Sequence, residues 1–235
     1  METILQTDVV VLGGGSAGVA AAVAAARSGS QVTLIERNAF LGGKATAAEV
    51  GTVCGLYKFT KEENAEYLVK GFAEEFAEKL RKRSNTNPLH NSDGLHYLPY
   101  KIDVFKKLAE ELLAENNINI LYNTVLKTVQ VADGKISSIS VIAAGNPVTL
   151  QLKSIIDCSG ESIVSRLAGI PVIKSEQYQA AAQVFTLRNV DEDNEARLGM
   201  ILMKALHKAI DEDVLADFYD RSARSAVVIS PHSAC

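Results

Sequence analysis

Thr7-Asp8-Val9-Val10-Val11-Leu12-Gly13-Gly14-Gly15-Ser16-Ala17-Gly18 opens a stretch of about thirty residues that closes on Gln31-Val32-Thr33-Leu34-Ile35-Glu36, and its reading decides the fold. Thr7 to Leu12 is short, β-branched and apolar on both faces, the pattern of a central parallel strand buried under helices on each side. Ser16 to Ser28 reads as an Ala-rich helix closed by Gly29, a residue suited to the left-handed position after a helix end. Gln31 to Glu36 is a second buried strand, so the three pieces make one right-handed βαβ unit.

Gly13 to Gly18 fits G-x-G-x-x-G between that strand and that helix. Gly13 makes the tight turn, Gly15 lets the backbone approach a pyrophosphate, and Gly18 lets helix and strand lie close. Ser16 and Ala17 then present the first N–H groups and the positive dipole end of the helix to an anion. Glu36 ends the second strand about twenty residues on, where a carboxylate accepts hydrogen bonds from ribose hydroxyls and disfavours a 2′-phosphate. The plain structural alternative is a tight glycine turn beside a surface glutamate. The register of strand, turn, helix, strand and acid favours an adenine dinucleotide, and both FAD and NAD satisfy it.

The 235 residues are 47% apolar, enough for a sizeable core without disulfides. Lys plus Arg at 24 against Asp plus Glu at 28 gives a net charge of −4 with no basic block, which argues against nucleic acid as a partner. Cys54, Cys158 and Cys235 lie far apart without C-x-x-C spacing, which argues against a metal or iron–sulfur site and suggests a reducing, cytoplasmic setting. Val9 to Ala26 carries no charge, yet its glycines and weakly hydrophobic Ala and Ser argue against a membrane span or signal peptide.

Beyond Glu36 no second crossover helix is evident; Ala39 to Leu56 leads instead into a predicted amphipathic helix from Lys61 to Arg83. Its acids lie near the start and its bases at the end, as the helix dipole favours, so the basic cluster needs no ligand. Ser84 to Asn91 reads as a connector, and Ile102 to Asn116 as a helix. A short strand Ile118 to Leu121 follows. Val125 to Val131, Lys135 to Ala143 and Val148 to Ile156 then form a three-stranded antiparallel meander with turns at Asp133-Gly134 and Gly145-Asn146. Tyr178 to Arg188 is expected as a strand, Glu195 to Arg221 as helices, and Ala226 onward as a strand-like run.

Four stretches resemble the FAD-dependent oxidoreductases of the glutathione-reductase-like superfamily, in particular a broad bacterial group. They are Val9 to Ala22; L-I-E-R (Leu34 to Arg37) followed by L-G-G-K-A-T (Leu41 to Thr46); Tyr100 to Thr124; and I-I-D-C-S-G-E-S-I-V-S-R-L-A-G-I-P (Ile155 to Pro171). The resemblance covers about the first 190 residues. It implies an α/β fold: a Rossmann-like FAD-binding domain (1–60 and 100–172) with a parallel sheet and the β-meander, plus part of a second α+β substrate domain (61–99 and 173–235).

It also implies site residues. Gly42, Gly43, Lys44, Ala45 and Thr46 pass close to the flavin; the backbone of Val125 or Leu126 touches adenine; Ser159 and Gly160 lie by the dinucleotide; Glu36 and Arg37 sit at the ribose. Where the family has A-T-G-D-G-D this chain has C-S-G-E-S-I, so Glu161 stands for the first acid and Ile163 for the second. The family's closing strand and Gly-Asp pair are not found before Cys235, so the chain is expected to be an N-terminal portion of a longer flavoprotein.

The expected activity is hydride transfer between a small organic substrate and flavin, with catalytic residues and oligomeric state open. The alternatives are a non-catalytic dinucleotide-binding remnant and an NAD-binding protein. Cys54 reads as a small buried hydrophobe ahead of a redox thiol, Cys158 as packing, and His90 and His96 as exposed loop histidines ahead of a substrate acid or base.

Overall fold

Short β-branched runs between glycine turns make the central strands, and the computed structural model describes residues 3–174, 176, 191, 192 and 194–214. In chain order the elements are β1 (Thr3–Gln6), β2 (Val9–Leu12), α1 (Ser16–Arg27), β3 (Val32–Ile35), α2 (Lys44–Ala47), β4 (Thr52–Cys54), α3 (Phe72–Ser84), β5 (Leu89–His90) and β6 (His96–Pro99). They continue with α4 (Ile102–Glu115), β7 (Asn119–Leu121), β8 (Thr124–Ala132), β9 (Lys135–Ala143), β10 (Asn146–Gln151), β11 (Ser154–Asp157), α5 (Ile163–Leu167) and α6 (Glu195–Asp211). The chain divides into two units, Met1–Val184 and Phe185–Cys235. In the second, α6 starts on Asn194, whose side chain accepts a hydrogen bond from the Arg197 N–H.

The centre of the first unit is a parallel sheet in the order β11-β2-β3-β7. Alternation along each strand sends side chains to opposite faces. Val11, Val32 and Leu34 pack on one face with Val19 and Val23 of α1 and Phe105, Leu108 and Leu112 of α4. Val10, Leu12 and Ile35 pack on the other with Ile139, Val141, Val148 and Leu150. The second face is therefore covered by a second, mostly antiparallel sheet, where the sequence suggested helices on both sides. A doubly covered strand reads as continuously apolar whatever the cover is.

That second sheet has the order β1-β10-β9-β8. Its meander β8-β9-β10 is antiparallel, and β1 adds to β10 in parallel. One expected strand is divided between the sheets: Val148–Ile156 breaks at Leu152-Lys153 between β10 and β11. The expected strand Thr7–Leu12 is β2, and the unforeseen β1 precedes it across Thr7-Asp8. Both chains cross together: the Lys153 and Ser154 N–H groups donate to the Asp8 carbonyl, and Lys153 Nζ lies 2.7 Å from Asp8 Oδ1.

The crossover from β3 to β7 is made by α4, whose buried Phe105, Leu108, Ala109, Leu112 and Leu113 recur at helical spacing. The sequence reading missed this role because α2, β4, α3, β5 and β6 intervene. Strands β4, β6 and β5 pair as a small antiparallel sheet that it also missed, since strands of two to four residues show no period.

The predicted helix from Lys61 to Arg83 is shorter, beginning at Phe72. Gly71, at φ 80°, stops it, and Tyr67 before it bridges to Tyr57 in extended form. The favourable charge placement survives, with Glu74 and Glu75 in the first turn and Arg81, Lys82 and Arg83 in the last. The predicted strand Tyr178–Arg188, the helical residues beyond 214 and the run from Ala226 lie outside the described residues.

Candidate functional site

The C-terminal ends of β2, β3 and β11 converge on the glycine turn, the usual ligand position in an open parallel sheet. Gly13 has φ 101°, and a Cβ there would lie 2.5 Å from the Cys158 carbonyl oxygen. A Cβ on Gly18 would fall on the Gly13 carbonyl oxygen, so α1 rests directly against the turn. Gly14, to which the sequence reading gave no task, is as constrained: a Cβ would lie 2.5 Å from Leu41 Cδ2 and 3.0 Å from Glu36 Oε2.

Gly15 is different. Its φ of −71° suits any residue, and a Cβ would meet nothing nearer than Gly43 Cα at 3.8 Å. Packing thus accounts for Gly13, Gly14 and Gly18 but not for Gly15. Space in front of Gly15 is what a close-approaching ligand needs. The first N–H groups of α1, at Ser16, Ala17 and Gly18, have no side-chain cap, leaving an electropositive helix end.

Glu36 is buried at 4% exposure, yet its carboxylate is well held. Oε2 accepts from the Gly14 N–H at 2.7 Å; Oε1 accepts from the Asn38 N–H at 2.7 Å and Asn38 Nδ2 at 2.8 Å. Three of its roughly four lone-pair directions are used. Asn38 is a residue the sequence reading missed, although an amide two positions past the strand acid is a local signal. Arg37 is exposed beside it.

The Leu41–Thr46 loop is sutured to the glycine turn. The Gly42 N–H donates to the Gly14 carbonyl, Gly15 and Gly42 form a parallel bridge, and a Cβ on Gly43 would press on Gly15 Cα. Thr46 is buried and its hydroxyl donates to the Leu41 carbonyl, closing the loop on itself. Tyr100 donates its hydroxyl to the Ala45 carbonyl at 2.7 Å, and burial raises that phenol's pKa to about 12, so it stays a donor. Lys44 is exposed on α2.

Ser159 and Gly160 stand beside Gly13, because the Cys158 N–H donates to the Leu12 carbonyl. The acid that organises this turn is Asp157, not Glu161. Asp157 Oδ1 accepts from the Ser159 N–H and hydroxyl, and Oδ2 from the Val164 N–H. Glu161 is exposed, 3.9 Å from Arg166. Val125 and Leu126 lie on β8, a sheet edge. The Thr124 N–H turns away from β9 to the Glu36 carbonyl; alternation therefore turns the Val125 N–H to β9 and leaves that of Leu126 on the open edge.

Two further expectations are corrected. Cys54 is exposed rather than buried, because β4 presents it on an edge strand opposite Tyr97. His96 is buried at 1% exposure, with Nε2 3.0 Å from the Thr60 carbonyl, while His90 is exposed. Cys158 is partly buried, and burial first, then Asp157, raises its thiol pKa. Among the described residues no group of three His, Cys, Asp or Glu is placed to hold a metal ion. Among them also, no helix is long and apolar enough to cross a membrane.

Residues 8–226 match the family described as FAD dependent oxidoreductase. The chain belongs to this family. FAD is therefore its cofactor. A curated relative, digeranylgeranylglycerophospholipid reductase 1 of Methanococcoides burtonii, is 26% identical over 197 residues, covering 81% of this chain and 47% of that protein. The chain thus spans about half the length of the curated relative it matches. Among solved structures, a geranylgeranyl bacteriochlorophyll reductase-like protein from Thermoplasma acidophilum superposes with a TM-score of 0.52 at 20% identity, over 72% of this chain and 43% of that one. Thermovibrio ammonificans THI4 superposes with a TM-score of 0.50 at 17% identity, over 71% and 64%. At these identities the two structures share the fold.

Proposed function

We infer that the protein to which this chain belongs transfers a hydride between FAD and a small organic substrate. Gly15 carries the inference: it is the one glycine of the turn that neither packing nor backbone geometry requires, a Cβ there making only an ordinary contact with Gly43 Cα at 3.8 Å, and it stands at the uncapped end of α1. In this reading the N–H groups of Ser16, Ala17 and Gly18 face the pyrophosphate, and the Glu36 carboxylate accepts from ribose with its remaining lone pair. Arg37 lies at the rim of that ribose site. The backbone of Leu126, on the open edge, meets adenine in preference to that of Val125. Ser159 and Gly160 wall the dinucleotide, and Gly42 to Thr46 form the floor on the flavin side.

FAD, when bound, supplies the hydride chemistry; the chain supplies position and electrostatics. Tyr100 holds the flavin-side loop by its bond to Ala45, and Asn38 holds Glu36 in an accepting geometry before the cofactor arrives. The domain division proposed is a nucleotide domain of 1–60 and 100–172, with 61–99 and 173–235 belonging to a substrate domain. The two named reductases point toward geranylgeranyl compounds, but the substrate class supported by the residues described remains a small organic molecule. Three scattered cysteines and the absence of a basic block support a cytoplasmic protein without a nucleic-acid partner.

The test is direct: the purified chain is examined for yellow colour and for flavin released on denaturation, and apo-protein is titrated with FAD and NAD. FAD binding with little response to NAD is expected. A colourless protein that binds NAD and not added FAD would overturn the reading.

A further inference from the structure

Helices α1 and α3 and strand β4 wall a pocket of about 170 Å3, floored by Val19, Leu80 and Phe105. These three are at most 2% exposed, so the pocket is blind. Its mouth is half-buried and equally apolar, at Ala20, Val53, Phe72 and Ala73. Among the described lining residues the one polar side chain is that of Ser16, which is exposed. On α3 the row Phe72, Phe76 and Leu80 runs beside Ala73 and Ala77, and the small side chains leave the room between α3 and α1 that the large ones bound. The Phe76 ring lies 5.9 Å from that of Phe72 and, edge-on, 4.9 Å from that of Phe105, so the aromatic wall is braced on itself.

The chemistry of the wall selects among occupants. An ordered water needs two to four polar partners, and the wall offers a single hydroxyl at its mouth. A charged group would lose its hydration and find no charged side chain on the wall to replace it. A long alkyl chain would be stopped by the closed floor, with most of its length left in water. Apolar cavities of about 150 Å3 lined by Leu, Ile and Phe stay dry and take up benzene, so this volume suits one six-membered ring or a branched group of similar bulk.

We propose that this pocket binds a neutral hydrocarbon group the size of one six-membered ring, the apolar end of a small organic ligand. Ser16 also begins α1, so the mouth adjoins the helix end assigned above to the pyrophosphate; that adjacency rests on the FAD reading, whereas the chemistry of the pocket does not. The full chain, free of FAD, is mixed with benzene and toluene at millimolar concentration and followed by saturation-transfer NMR and thermal melts, beside benzoate and benzylammonium at the same concentration. Both neutral rings are expected to bind and to raise Tm, and neither charged analogue to do so. Ala73→Leu, at the half-buried mouth, fills the space: affinity for the rings should fall about tenfold or more, with Tm at or above that of the parent and FAD affinity unchanged. Ala20→Leu fills it from α1 and gives the same readout should Ala73→Leu fail to fold. The proposal is overturned if neither ring binds, if a folded leucine variant binds them as the parent does, or if a charged analogue binds as tightly. A lowered Tm in both leucine variants would also overturn it, because the pocket would then be closed in solution. Ring binding by a chain that takes up no FAD would leave the pocket standing and overturn the FAD reading alone.

Discussion

Four glycines within six residues do two different jobs, and substitution separates them. Gly18→Ala drives a methyl into the Gly13 carbonyl. Overpacking of this kind costs about 1–3 kcal/mol, and each kcal/mol lowers Tm by about 2–4 °C in a domain of this size. Gly15→Val should leave Tm nearly unchanged, since a Cβ there meets only Gly43 Cα at 3.8 Å, yet abolish FAD binding by filling the approach to the helix end. Thermal melts paired with FAD titration would check both; a Gly15→Val protein of parental affinity would place the dinucleotide elsewhere. Glu36→Gln turns an amide NH2 toward donors already aimed at the carboxylate by Gly14 and Asn38. A loss of about tenfold or more in FAD affinity is expected from titration, charged hydrogen bonds being worth about 1.5–3 kcal/mol each. The tasks of Gly13 and Gly18 were legible from spacing alone. That of Gly14 was not, because its neighbours Leu41 and Glu36 arrive from another part of the chain.

At the scale of elements, α1 and α3 are joined by a charge cluster: Glu75 accepts both terminal nitrogens of Arg27, at 2.8 and 2.9 Å, and lies 3.0 Å from Lys79. The Arg27 hydrogen bonds first, then that of Lys79, lower the Glu75 pKa from 4.5 to about 2. Because the folded value lies below the unfolded one, the contribution is complete above about 4.5 and fades as the pH falls toward 2. Solvent screening at this half-open site reduces it to about 1 kcal/mol. Glu75→Gln should therefore lower the urea midpoint at pH 7, with the gap to the parent narrowing by more than half at pH 3; a gap independent of pH would remove charge as its cause. Helices α1 and α4 were legible because their apolar spacing is uninterrupted. The first half of the predicted Lys61–Arg83 helix misled because Ala65 and Leu68 continue that spacing, whereas Gly71 breaks the backbone and Leu68 stays 59% exposed.

For the whole molecule, FAD binds the folded state, so saturating cofactor at about a hundred times its Kd adds about 2.7 kcal/mol and should raise Tm by about 5–10 °C in a scanning melt. Gly15→Val should show no such rise. The βαβ core was readable because it is local in sequence. The covering sheet, the crossover through α4 and the wall at Cys158 were not, because each joins segments far apart. That distance acts on the nascent chain. Gln6 meets Gln151 across 145 residues, and β2 waits as long for β11. At about 5–20 residues per second, the ribosome leaves these apolar strands half-covered for roughly 7–30 seconds. The turn proposed to receive the dinucleotide also gains its Cys158 wall only then, so on that proposal cofactor capture falls near the end of this stretch of translation, and chaperones that shield apolar strands have their window before it.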